Sequence, residues 1–177
     1  KLASNTSFPL NQVLYGPPGT GKTTILNELN KRGYTCFPEV SREIIIEAQQ
    51  RGIEQLFLSN PDEFNQKLFE GRIKQFLDCE KMESNYVFLD RGLPDIIAYN
   101  DYIKVESSPE IIKKTNDLIY DFVFVFPPWK EIYKSDNERY ESYDEAMRIY
   151  DSLKETYRSL NYDVCEVPIG NIHERAN

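Results

Sequence analysis

At 177 residues, with 40% hydrophobic and 28% charged side chains and 12 Tyr and 10 Phe, the chain can bury one substantial core and is too apolar to be disordered. Its net charge of −8 argues against a general nucleic-acid binder, which needs a basic surface to neutralise phosphates. Three scattered cysteines (Cys36, Cys79, Cys165) and a single histidine, His173, argue against a disulfide framework, a structural zinc site and a Ser-His-Asp hydrolase, while the lack of a long apolar run or a signal-peptide pattern predicts a cytoplasmic protein with no membrane partner.

Residues 1–11 read as a polar lead-in to one domain over 12–177. The short apolar run Gln12–Tyr15 predicts a strand, and Thr24–Lys31 a helix, with Gly33 as its stop. Tyr34–Phe37 predicts a second strand, closed by Pro38. Ser41 is a good N-cap for a helix through Ala48, which Gly52 interrupts. Pro61 opens a longer helix with Phe64, Leu68, Phe69, Ile73, Phe76 and Leu77 on one side. Tyr86–Leu89 predicts a third strand ending at Asp90. Helices follow over Leu93–Lys104 and Pro109–Leu118. Asp121–Phe126 is continuously apolar from its second residue, the pattern of a strand buried on both faces. Residues 127–142 are charged and Tyr-rich and read as a mobile lid. A helix over Tyr143–Leu160, a fifth strand over Tyr162–Val167 and a short terminal helix complete the chain. Strands alternating with helices predict a parallel sheet with helices on both faces.

Between the first strand and its helix lies Gly16-Pro17-Pro18-Gly19-Thr20-Gly21-Lys22-Thr23, which fills G-x-x-x-x-G-K-[ST] at every fixed position and runs on into Thr24. A glycine-rich loop here aims backbone N–H groups and a helix N-terminus at phosphate oxygens. Lys22 can reach the β- and γ-phosphates, and the Thr23 hydroxyl can ligate Mg²⁺. Asp90, at the end of a strand, suits the same Mg²⁺, although many strands end in Asp as a turn residue. An ATPase motor of the AAA+ type carries a Glu after that Asp to activate water. This chain has Arg91, which suits an anionic substrate, with Asp95 close behind.

Glu39 and Arg42 follow the second strand, at the edge where parallel sheets bind ligands. Glu39 can accept a proton from an acceptor hydroxyl and Arg42 can bind an anion. The plainer alternatives are a turn residue and a salt-bridged helix residue. In the lid segment, Asp136 and Arg139 suit closure over transferring phosphates, against the alternative of a solvated charged face. Lys130, Lys134 and Arg148 are lesser candidates. Val167–Asn171 can offer backbone to a nucleotide base or form a simple turn. The absence of an Asn-Lys-x-Asp guanine signature favours ATP over GTP.

With these residues, the chain resembles the P-loop ATPase/kinase family that includes the nicotinamide riboside kinase domain of the bacterial NAD regulator. It is similar, more distantly, to thymidylate and deoxynucleoside kinases. The likeness rests on Gly16–Thr23, Glu39 with Arg42, Asp90-Arg91-Gly92 with Asp95 and Tyr99, Asp136 with Arg139, and Val167-Pro168. It implies a P-loop NTPase fold of three layers, with sheet order 2-3-1-4-5 and an Arg-bearing lid. It also implies that Glu39 and Arg42 face the phosphoryl acceptor, Asp90 the metal or acceptor hydroxyl, and Arg139 the phosphates. The expected activity is ATP- and Mg²⁺-dependent phosphoryl transfer to a small-molecule hydroxyl, a nucleoside or nucleotide. A nucleotide-dependent switch and a plain NTPase are the alternatives.

Overall fold

The computed structural model describes residues 9–133 and 142–177. Five strands, β1 (Leu10–Tyr15), β2 (Thr35–Phe37), β3 (Tyr86–Asp90), β4 (Phe122–Val125) and β5 (Val164–Glu166), pair parallel in the order β2-β3-β1-β4-β5. Between and after them come α1 (Lys22–Lys31), α2 (Val40–Gln50), α3 (Leu56–Ser59), α4 (Pro61–Cys79), α5 (Pro94–Tyr102), α6 (Pro109–Asp117), α7 (Tyr143–Ser159) and α8 (Ile172–Arg175). The order and the parallel sense are those implied by the resemblance.

The central strand shows why the layers form. Side chains alternate across a strand, so Val13 and Tyr15 enter one core while Leu14 enters the other. The Val13 side holds Phe69 and Phe76 of α4, Ile96 of α5, and Leu153 and Tyr157 of α7. The Leu14 side holds Ile25, Leu26 and Leu29 of α1, with Phe126 and Val167. Each such buried aliphatic or aromatic side chain contributes roughly 1.5–3 kcal/mol. A smaller cluster, Val40, Ile44, Ala48 and Leu56, ties α2 and α3 to the flank of α4. Because all strands point the same way, their carboxyl ends deliver five loops to one edge of the sheet.

Several local expectations need correction. β1 begins at Leu10, because Leu10 N–H donates to Asn85 O at 3.0 Å and Asn11 N–H to the Asp121 carboxylate at 2.7 Å. Ser41 is not the N-cap of α2. That position belongs to Glu39, and Ser41 sits inside the first turn with its hydroxyl bonded to the Glu39 carboxylate. The one-turn helix α3 had no periodic signal. Leu77 faces solvent, while Arg72 and Gln75 of the same helix are buried. Phe122 is 50% exposed, so β4 is not covered on both faces along its whole length. Asp136, Arg139 and Lys134, and with them most of the lid segment, lie outside the described residues. Among the described residues, no helix is long and apolar enough to cross a membrane.

Candidate active site

The loop after β1 is shaped by glycines. Gly16 has φ +151°, and a Cβ there would lie 2.5 Å from the Phe126 carbonyl oxygen, so only glycine lets β1 turn beside β4. Gly21, at φ +85°, caps α1. The first turn of α1 holds no acidic side chain, so its N-terminal N–H groups and partial positive charge are free of a local anionic competitor. Lys22 is 6% exposed. Its Nζ donates to Gly16 O at 2.9 Å and Pro17 O at 3.1 Å, with the Thr20 hydroxyl at 3.5 Å. Burial, helped by the Arg91 charge, brings its pKa down to about 8, against the opposing pull of Asp90 and Glu39.

Asp90 ends β3 in register with Leu14, which sets it beside the loop. It is 3% exposed and its Oδ1 has no hydrogen-bond partner. Burial raises its pKa and the Lys22 charge opposes the rise. The next residue turns the chain sharply. Arg91 has φ +73°, uncommon for a side-chain-bearing residue, and is held there by its N–H bond to Leu14 O at 2.9 Å.

That turn buries the Arg91 guanidinium among three partners. Nε lies 2.8 Å from Glu39 Oε1, Nη1 donates to the Tyr99 hydroxyl at 3.1 Å, and Nη1 lies 3.6 Å from Asp95 Oδ1. The two carboxylate contacts are charge contacts and not aligned hydrogen bonds. Asp95 is fully buried, and its Oδ2 accepts from Gly92 N–H at 2.9 Å and from the Tyr157 hydroxyl at 2.6 Å. Tyr157 in turn stacks on Tyr15, ring centroids 3.9 Å apart. Burial works to raise the Glu39 pKa. The charges of Arg91 and Lys22 and the Ser41 hydroxyl outweigh it and leave the carboxyl at about 2.

One cavity of about 1720 Å³ runs along this edge. The loop from Pro18 to Thr24 lines it, as do Glu39, Arg42, Asp90, Arg91 and Asp95. Gly16 and Pro17 stand just behind, as carbonyl partners of Lys22. Arg42 is exposed, and its Nη2 donates to the Thr23 hydroxyl at 3.4 Å. Lys130 and Arg148 are exposed and do not line the cavity. Gly170 and Asn171, from the turn after β5, do line it.

Three arginine and aromatic contributors escaped the sequence reading. Arg175 of α8 donates to Thr20 O at 3.0 Å and Pro168 O at 3.1 Å, and its guanidinium lies 5.0 Å from the Phe126 ring and 5.6 Å from the Trp129 ring. It braces the phosphate loop from a helix of four residues, too short to leave a periodic pattern. Trp129 lies in a segment whose sequence pattern is one of charge and tyrosines. Arg72 is 4% exposed and donates to Gly92 O at 3.0 Å. Its signal was present: it lies four residues from both Leu68 and Phe76, a charge set in an apolar stripe.

A phosphate loop between the central strand and its helix, on a parallel 2-3-1-4-5 sheet, defines a P-loop nucleotide-binding fold. The family described as AAA domain matches residues 11–175, and the chain belongs to it. No curated protein matches the chain. Among solved structures it is similar to deoxyadenosine kinase from M. mycoides with dCMP and dCDP bound (18% identity, TM-score 0.67, 94% of this chain and 95% of that one). It is also similar to the NadR protein in complex with NAD and AMP-PNP (17% identity, TM-score 0.66), covering 96% of this chain and 50% of NadR. Thymidylate kinase from Ehrlichia chaffeensis is a third (16% identity, TM-score 0.60, 93% and 89%). At these identities the likeness is one of fold.

Proposed function

We propose that the protein is an ATP- and Mg²⁺-dependent phosphotransferase acting on a small-molecule acceptor, a nucleoside or nucleotide. The observation that carries this reading is the opening of the Lys22 loop and of the Glu39–Arg91–Asp95 cluster into a single cavity. A switch or a plain NTPase has no need of the second group. The fold shared with nucleoside and nucleotide kinases supports the same reading.

The donor phosphates would lie on the loop N–H groups and the amino end of α1, with Lys22 turned from its carbonyl partners toward the β- and γ-oxygens. The unpartnered, buried oxygen of Asp90 and the Thr23 hydroxyl are hard oxygen donors that fit a magnesium ion, and would hold it together with phosphate oxygens. When bound, the ion supplies charge neutralisation to the triphosphate. Glu39, fixed by Arg91 and Ser41, would orient the acceptor oxygen for in-line attack. Phosphoryl transfer goes through a loose transition state, so orientation and charge matter more than a strong base. Arg139 and Asp136 enter the proposal from the sequence alone, as charge-stabilising groups of a lid.

The test is incubation with Mg-ATP, with and without a panel of nucleosides, nucleotides and nicotinamide riboside, following ADP and products by mass spectrometry. ADP formation that depends on one acceptor, with a matching product mass, is the expected result. ADP without any acceptor would make the protein an NTPase. Tight ATP binding without turnover would make it a switch.

A further inference from the structure

Arg72 is a buried cation of this cavity with a single hydrogen-bond partner and no ion pair among the described residues. It lines the cavity, it is 4% exposed, and a guanidinium does not shed its proton in a protein. Nη1 donates to the Gly92 carbonyl, Nε has no partner, and among the described residues no carboxylate lies within ion-pair distance. The other buried cations are better matched. Lys22 has two carbonyls, Arg91 has Glu39 and Asp95, and Arg175 has two carbonyls and two aromatic rings. Arg42 also has no carboxylate, and its contact is the Thr23 hydroxyl. The nearby acid cannot serve either arginine well, because Glu39 is already paired with Arg91. A buried charge without a counter-charge is strongly unfavourable, and a ligand that brings the missing anion relieves it.

We infer that Arg72, assisted by Arg42, is an anion subsite on the acceptor side, and that the molecule phosphorylated carries its own phosphate monoester. This rests on the phosphotransferase reading above and narrows its substrate class to a monophosphate, with Phe64 and Leu68 of α4 and Ile96 offering the same molecule an apolar wall. In the step that follows, a monoester oxygen forms the new P–O bond to the γ-phosphorus while the bond to the β-phosphate oxygen breaks and ADP leaves. A monoester dianion has no proton to give up, so charges and atoms balance without a base, and with this acceptor Glu39 serves to hold Arg91 in place rather than to touch the attacking oxygen. That agrees with a Glu39 carboxyl held at about 2, far too weak a base to deprotonate an alcohol.

The test is a binding measurement that needs no turnover. Wild-type protein is first saturated with magnesium and a non-hydrolysable ATP analogue, so that the donor end is filled. Matched pairs of nucleoside and 5′-monophosphate, and inorganic phosphate, are then titrated by calorimetry. At least one monophosphate is expected to bind tenfold or more tighter than its nucleoside. Arg72→Gln should erase that advantage and leave nucleoside affinity within threefold, and Arg42→Gln should reduce it by a smaller factor. Should Arg72→Gln fail to fold, Arg72→Lys, which keeps the charge but loses the planar fork, and Arg42→Gln should each reduce the advantage, and an advantage undiminished in both would overturn the inference. Nucleosides binding as tightly as their monophosphates would overturn the inference. So would an advantage that survives Arg72→Gln, or no saturable binding by any monophosphate or by phosphate. If the subsite stands and no acceptor-dependent ADP forms, the kinase reading falls alone. If a neutral nucleoside is turned over, the kinase reading stands and the subsite falls.

Discussion

The two ends of the cavity are built by different means. The proposed donor end is made of backbone: three glycines at positive φ, loop carbonyls that hold Lys22, and the N–H groups of α1. The proposed acceptor end is made of side chains: Glu39, just before α2, and Asp95 and Tyr99 of α5 meet around the buried Arg91 guanidinium, with Tyr157 of α7 behind Asp95. A backbone site depends on a short run of residue types in fixed order. A side-chain site depends on a tertiary network in which each member is held by another, so damage should spread from one residue to the next.

The sharpest probe of the donor end is Lys22→Ala. Turnover should fall by about 10²–10³-fold, the usual effect of losing one pre-aimed charge on the transferring group, with the melting temperature little changed. Unchanged turnover in the folded variant would remove Lys22 from the chemistry. The matching probe of the acceptor end is Glu39→Gln, which strips Arg91 of its nearest counter-charge. Here stability itself should fall, by about 3 kcal/mol in urea unfolding, because a buried charge is left short of a partner. If Glu39→Gln were as stable as wild type, the two ends would not differ in the way described.

Titration separates the ends further. The Glu39 carboxyl lies at about 2 in the fold and near 4.3 in the unfolded chain. Its stabilisation is therefore complete above about pH 5 and lost as pH falls through about 2. The acid limb of a stability profile should flatten in Glu39→Gln. Lys22 moves the opposite way, with about 8 in the fold against an ordinary value of 10.5. Phosphates prefer the charged amine, so nucleotide affinity should weaken as pH rises through 8, and Lys22→Arg should not show that weakening. Flat affinity from pH 7 to 9 in wild type would contradict it.

Two smaller effects complete the comparison. Arg175→Ala removes the brace on Thr20 and should weaken ATP binding by about tenfold, the value of one charge-assisted hydrogen bond, with little change in acceptor affinity. Tyr157→Phe should cost about 1 kcal/mol and nudge the Glu39 titration upward in a carboxyl NMR titration, since Asp95 and then Arg91 lose support. A Glu39 titration that ignores Tyr157 would break the chain of contacts between them.

The same contrast explains what the sequence disclosed. The phosphate loop, Asp90 and the five strands were legible because each is a local pattern. Glu39, Arg42, Arg91 and Asp95 could be named as candidates from their place after strands. That Arg91 would bind Glu39 and Asp95 together was not legible, because it depends on a left-handed residue after β3 and on helices far apart in the chain. Ser41 misled for a related reason: a good capping residue was recruited by the neighbouring carboxylate instead. Arg175 was hidden because its partner Thr20 is 155 positions away.

That distance has a consequence for how the protein is made. Chains emerge from the ribosome amino end first, and Thr20 of the phosphate loop appears 155 positions before Arg175. Its brace comes later, since Arg175 must be synthesised before it can dock on Thr20 and settle beside Phe126 and Trp129. A partly made chain thus carries the whole glycine-rich signature without the support that shapes it. Nucleotide acts more strongly as a folding ligand once synthesis has passed α8, so ATP favours chains that extend beyond Arg175 over those that stop short of it.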